Sequence, residues 1–252
     1  MNENRLSNSM EKSRVKVILF DLDNTLIDTS GAGRVAIQKV CDFLKTALGH
    51  EDSISDICQR FAHKLFHESY DPSSGRTIDD VRVDHWQQAI RESEGVDRGI
   101  AVAAECYRIW KCTRLQLLTF APAVRTMLEE LRRTHRLLLL TNGESQTQRE
   151  KVQAIGSAAE LFSAIVVGGE HPEEKPALSI FTYCFRQLGV QPQDCIMVGD
   201  NLGTDIQGGF NAGVRATVWV NASGQVPSEG SARPDYSIST VLDLPGVLAD
   251  LK

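Results

Sequence analysis

Asp21 and Asp23 close the apolar run Val17-Ile18-Leu19-Phe20 and stand two residues apart in Asp21-Leu22-Asp23-Asn24-Thr25-Leu26. An uninterrupted apolar run of this kind reads as a strand buried on both faces. Such a strand has no structural use for two carboxylates unless they stand at its end, beside a cation or a substrate. Side chains at i and i+2 of an extended segment share a face, so both acids point into one site. One can attack while the other moves a proton. Taken alone, Asp-x-Asp fits a surface loop in which one Asp caps a turn equally well.

The rest of the chain decides between these readings. Leu137-Leu138-Leu139-Leu140 runs into Thr141-Asn142-Gly143, and Ile196-Met197-Val198-Gly199 runs into Asp200 with Asp205 shortly after. Between them, Glu174-Lys175-Pro176 supplies a lysine. These blocks, in this order, resemble the four motifs of the haloacid dehalogenase superfamily of phosphatases. The resemblance implies that Asp21 is the nucleophile and forms an aspartyl-phosphate. Asp23 is then general acid toward the leaving alkoxide and general base toward water. Mg²⁺ suits such a site, because it prefers oxygen ligands and is held by one or two carboxylates plus phosphate oxygen. By resemblance its protein ligands are Asp21, Asp200 and the backbone carbonyl of Asp23. Phosphate is expected on Lys175, Thr141, Asn142, the amides near Gly143, the amides of Leu22 and Asp23, and the Asn24 side chain. Asp205 is expected as an outer partner of the metal site or of Lys175, and Asp28 as structural. Pro176 is expected to open the helix that follows Lys175.

Segments without general superfamily chemistry extend the likeness: Trp110-Lys111, Thr113-Arg114-Leu115-Gln116, Gln146 to Lys151 and Val166 to Glu170. They resemble the branch of the superfamily that dephosphorylates sialic acids, over nearly the whole chain. A phosphorylated sugar acid in sialic acid biosynthesis is the implied substrate. Its own carboxylate lies far from the phosphate, and a guanidinium matches a carboxylate in bidentate fashion. Arg82 and Arg114 are therefore the expected carboxylate receptors, with an exposed helix charge as the alternative for each. Rival readings are a phosphatase of another phosphosugar or of phosphoglycolate, a phosphosugar mutase, and a non-catalytic binding protein on the same fold. Dehalogenation is disfavoured, because the dehalogenases that the chain resembles lack the second acid present here as Asp23.

Composition sets outer bounds. The 252 residues are 42% hydrophobic and carry a net charge of −6, which offers no basic footprint for nucleic acid. No apolar stretch approaches the roughly 18–20 residues that span a bilayer, and residues 1–14 lack the apolar core of a signal peptide. Six scattered cysteines read as free thiols in a reducing compartment. A cytoplasmic protein without nucleic-acid or membrane partners is expected, and the sequence assigns no oligomeric state.

Residues 1–13 are polar and expected to be disordered. From 30 to 118 the strand-like runs vanish and helical spacing takes over: Ala36, Val40, Phe43 and Leu44, then Ile54, Ile57, Phe61 and Leu65, then Trp86, Ala89 and Ile90, then Ala103, Tyr107, Ile109 and Trp110. That segment reads as an all-helical cap of about four helices inserted after the first strand. Trp86 and Trp110 are expected in its core rather than in a ligand box. After Pro122 helices and short apolar strands alternate, which implies a Rossmann-like α/β core, a parallel sheet with helices on both faces. The core is assigned to 14–29 and 119–252. Its strands then end on one edge, where such sheets bind ligands.

Overall fold

The computed structural model describes residues 15–251, so the expectation for 1–13 lies outside the described residues. Six parallel strands form one sheet in the order β3-β2-β1-β4-β5-β6. They are β1 (Val17–Phe20), β2 (Arg136–Thr141), β3 (Ala164–Val167), β4 (Cys195–Gly199), β5 (Ala216–Val220) and β6 (Tyr236–Ile238). The apolar runs are explained by two cores, one on each face. Ile18, Phe20, Leu137, Leu139, Ile196 and Val198 enter a core closed by α5 (Pro122–Leu131) and α9 (Leu244–Asp250). Their neighbours Val17, Leu19, Leu138, Leu140, Cys195 and Met197 enter a second core closed by α7 (Leu178–Leu188). Alternation along a strand sends successive side chains to opposite faces, so every position of β1 is buried.

Between β1 and α5 lie four helices: α1 (Thr29–Leu48), α2 (Ile54–Phe66), α3 (Ile78–Glu94) and α4 (Ile100–Leu117). Asp28 caps α1 by accepting from the Gly31 amide, the structural role expected of it. The insertion has its own core of Ala36, Val40, Leu44, Ile57, Phe61, Trp86 and Ala103, with Trp86 stacked on Phe61 at 3.8 Å between ring centres. The helical spacing of these residues was legible because each helix buries one stripe.

A π-type turn, Leu202–Ile206, precedes α8 (Gln207–Ala212). One local expectation needs correction. Pro176 does not open α7, which is capped by Ala177 and starts at Leu178. The strand β6 and helix α9 had no counterpart in the sequence reading, since three and seven residues are too short for a periodicity to emerge.

Candidate active site

β1, β2 and β4 are neighbours and run in register, Phe20 opposite Leu139 and Val198. Asp21, Thr141 and Asp200 therefore emerge together at the carboxyl edge of the sheet. Carboxylate oxygens of Asp21, Asp200 and Asp205 lie within 4.8 Å of one another. The close approach of Asp205 depends on Gly199, where a Cβ would stand 2.2 Å from the Asp205 carboxylate. The π-type turn carries Asp205 inward, and its Oδ2 accepts from the Asn201 amide at 3.0 Å.

Lys175 sits among these acids, only 3% exposed. Its ammonium donates to Asp21 Oδ1, Asp205 Oδ1 and the Leu140 carbonyl, each at 2.7 Å. Burial opposes its charge, but two carboxylates outweigh burial and keep it protonated above the ordinary lysine range. Burial pushes Asp21 up to about 7; Lys175 pulls it part of the way back, and Asp205 and Asp23 oppose that. Burial and Asp205 likewise raise Asp200 to about 6. One lysine thus leaves the cluster short of positive charge, which fits a divalent cation held by oxygen ligands. Asp205 pairs with Lys175, the second of its two expected roles.

The phosphate donors divide. Thr141 is buried at the end of β2 and gives its hydroxyl to Gln148 Oε1 at 3.2 Å. Asn142 is occupied on both ends: Nδ2 donates to the Lys175 carbonyl at 2.8 Å and Oδ1 accepts from the Lys175 amide at 3.0 Å. It positions Lys175 rather than presenting a free amide. The Gly143 amide donates to Glu174 at 2.7 Å, and the Gln146 and Thr147 amides at the start of α6 (Ser145–Ala154) donate to the carboxylate of Glu144. The helix start expected to receive an anion is capped by the chain itself. Asn24 takes a left-handed conformation, φ 58°, and accepts from the Ser30 amide, shaping the loop that carries Leu22 and Asp23.

Asp23 is held from two sides. Oδ1 accepts from Thr29 Oγ1 at 2.5 Å, while Oδ2 meets Lys151 Nζ at 2.6 Å and Gln148 Nε2 at 3.3 Å. Burial would raise its pKa, but Lys151, Thr29 and Gln148 together hold it below the ordinary carboxylate value. Burial in turn pulls the Lys151 ammonium below the usual lysine range, against the attraction of Asp23. Thr25 donates to Asp21 Oδ2 at 3.2 Å. Sequence reasoning missed Thr25, Gln148 and Lys151. Thr25 stands inside the first motif and was within reach; Gln148 and Lys151 share a helix face, but nothing local says what that face meets.

A cavity of about 560 Å³ opens between the insertion and the core, lined by Tyr70, Trp110, Arg114, Gln148 and Lys151 among others. Arg82 and Arg114 both border it. Arg82 is spent internally: Nε and Nη2 fork onto Glu68 at 3.1 and 2.9 Å, and Nη1 donates to Thr147 at 2.8 Å. It ties the insertion to the core and has no fork left for a substrate carboxylate. Arg114 lies over the Trp110 ring, 4.2 Å from its centre, and has no carboxylate partner among the described residues. Trp86 is core as expected, whereas Trp110 also faces the cavity. Lys111 bridges Asp79 at 2.9 Å to Glu150 on α6 at 2.7 Å, a second tie across the junction.

The parallel sheet and its acidic edge define the class, and the haloacid dehalogenase-like hydrolase profile matches residues 15–213. The chain belongs to that family. It is 50% identical to the N-acylneuraminate-9-phosphatase of Homo sapiens over 242 residues, 96% of this chain and 97% of that one. Identity to the enzyme of the same name from Mus musculus is 51% over the same shares. Among solved structures, the 2-haloacid dehalogenase of Pseudomonas syringae pv. Tomato has a TM-score of 0.65 at 27% identity, covering 94% of this chain and all of that one. The HAD-hydrolase YfnB of Bacillus subtilis has a TM-score of 0.69 at 22% identity, covering 93% and 99%.

Proposed function

We propose that the protein is a Mg²⁺-dependent phosphatase that removes phosphate from an N-acylneuraminate 9-phosphate through an aspartyl-phosphate on Asp21. The observation that carries this reading is the convergence of Asp21, Lys175, Asp200 and Asp205 at one sheet edge, in a chain half identical to phosphatases of that name. Asp21, Asp200 and the Asp23 carbonyl would hold the cation, which supplies charge neutralisation for the phosphoryl group. Lys175 steadies Asp21 Oδ1, and Thr25 steadies Oδ2, so the attacking carboxylate is fixed in one orientation.

Asp23 is held in its ionised form, the form that takes a proton from the attacking water. A phosphate dianion arriving beside it adds like charge and favours the protonated form needed to help the alkoxide leave. The 30–118 insertion then acts as a cap that closes over the sugar, and 14–29 with 119–252 is the catalytic core. Arg114, stacked and without a carboxylate partner among the described residues, is the group that meets the substrate's distant carboxylate. Sialic acid biosynthesis in the cytoplasm is the setting this chemistry suits. No helix among the described residues is long and apolar enough to cross a membrane, and the six cysteines are free.

Phosphate release across nine-carbon and six-carbon phosphorylated sugars tests the reading. The sialic acid 9-phosphate should be the best substrate, with no isomerised product, and Asp21→Asn should be inactive with an unchanged circular dichroism spectrum. Preference for a six-carbon sugar phosphate, or activity of Asp21→Asn within tenfold of the unmodified protein, would overturn it.

A further inference from the structure

Lys151 is a buried cation that the chemistry above uses only for its charge. It is 5% exposed and lines the cavity beside Arg114. Its carboxylate partner is Asp23, bonded through Oδ2 at 2.6 Å. Burying an ammonium is costly unless it is paired and held, so a lysine that serves only packing would be an expensive choice here. Gln148, one turn earlier on α6, adds a second donor to the same oxygen at 3.3 Å, and its own Oε1 is fixed by Thr141. The helix is in turn anchored to the insertion by Thr147 with Arg82 and by Glu150 with Lys111. Lys151 therefore stands on an element restrained on both sides, which is the requirement for aligning a catalytic group.

We propose that Lys151 is the positioning residue for Asp23, pinning Oδ2 with the help of Gln148 so that Oδ1 is the oxygen that exchanges the proton. The inference rests on the phosphatase reading. In the first step the Asp23 Oδ1–H bond breaks as the proton passes to the leaving oxygen, the P–O bond of the ester breaks, and Asp21 forms its bond to phosphorus. In the second, Oδ1 takes a proton from water while the water oxygen bonds to phosphorus and the aspartyl P–O bond breaks. Thr29, whose hydroxyl lies against Oδ1 at 2.5 Å, can donate when that oxygen is bare and accept when it carries the proton. A displaced Asp23 leaves nucleophilic attack possible but fails both proton transfers.

Leaving-group chemistry separates this role from plain structural support. An alkyl phosphate needs its leaving oxygen protonated, whereas p-nitrophenolate leaves with little help. Lys151→Met, Lys151→Arg and Gln148→Leu are compared with the unmodified protein on the sialic acid 9-phosphate and, by rapid mixing, on p-nitrophenyl phosphate. For Lys151→Met the kcat on the alkyl ester should fall about 100-fold, the scale of lost general acid–base catalysis, with KM within about threefold. The p-nitrophenolate burst should stay within about fivefold of the unmodified rate, followed by slow steady-state release because water attack still lacks its base. Lys151→Arg should recover about tenfold of the loss, and Gln148→Leu should give the same selective pattern more weakly. Gln148→Leu keeps the buried charge pair, so it carries the test if Lys151→Met does not fold.

Equal losses in burst rate and alkyl turnover would make Lys151 a general support of the site and overturn the proposal. A rise in KM with kcat unchanged would make it a substrate contact and overturn it likewise. An unmodified protein that releases phosphate, paired with unaffected variants, sinks only the role of Lys151. An unmodified protein that releases none sinks the phosphatase reading itself.

Discussion

Removing the ammonium of Lys175 should destabilise the protein as much as it disables it. Lys175→Met keeps most of the side-chain volume but deletes three buried hydrogen bonds of 2.7 Å, two of them to carboxylates. Asp21, Asp200 and Asp205 then face one another across no more than 4.8 Å without a compensating cation. At an effective dielectric of about 20, each ionised pair at that separation repels by roughly 3–4 kcal/mol. Breaking one side of a buried ion pair typically costs about 3–5 kcal/mol. For a chain of this size that corresponds to a melting temperature lower by roughly 6–20 °C.

The cost should shrink when the excess charge is removed by other means. Saturating Mg²⁺ should restore part of the lost stability, because it binds the acids in the folded state only. The double variant Lys175→Met with Asp205→Asn should be less destabilised than the sum of its singles by about 1–3 kcal/mol, as expected for residues in direct contact. Thermal unfolding followed by circular dichroism, with and without Mg²⁺, measures each quantity, and phosphate release should drop at least about 100-fold alongside. A melting temperature within 3 °C of the unmodified protein, roughly what 1 kcal/mol moves in a chain this long, would refute the charge argument. Strict additivity in the double variant would refute it as well.

Chelation should abolish turnover and Mg²⁺ should restore it, whereas Ca²⁺ should restore little because its larger, looser coordination misplaces the attacking carboxylate; full activity after exhaustive dialysis against chelator would remove the metal from the mechanism. Arg114→Ala should lower kcat/KM on the sialic acid 9-phosphate by about tenfold or more while sparing a small acyl phosphate, since a charged hydrogen bond is worth about 1.5–3 kcal/mol. Arg82→Ala should impair both substrates alike, because Glu68 and Thr147 lose their partner together; a substrate-selective effect there would reverse the assignment. Glu68 is itself pulled below its ordinary value of 4.5, since Arg82 and His85 outweigh burial. A depressed acid stabilises the fold above its unfolded pKa and loses that contribution as pH falls through its folded value. The melting-temperature gap between Glu68→Gln and the unmodified protein should therefore be open at pH 7 and close in acid, and a gap that widens in acid would contradict the pairing.

The clustering of Asp21, Lys175, Asp200 and Asp205 was legible in the sequence. They sit where apolar runs end, and an apolar run buried on both faces leaves its polar residues only one place to go, the edge. The four helices of the insertion were legible for a related reason, since each shows one apolar stripe at helical spacing. Periodicity reports which face of an element is buried, but not what that face meets. Nothing around Lys151 distinguishes it from a surface lysine until α6 is laid beside the first loop and its ammonium reaches Asp23. Arg82 and Arg114 looked equivalent as isolated guanidiniums, and only the packed structure hands one to Glu68 and leaves the other over Trp110, facing the cavity. Asn142, expected to bind phosphate, proved to hold the backbone of Lys175, because a side-chain amide serves whichever partners the fold brings within hydrogen-bond reach. Residue type and the ends of strands settle what chemistry a chain can do; which partner each charge receives is decided by contacts between residues far apart in sequence, which local pattern does not encode.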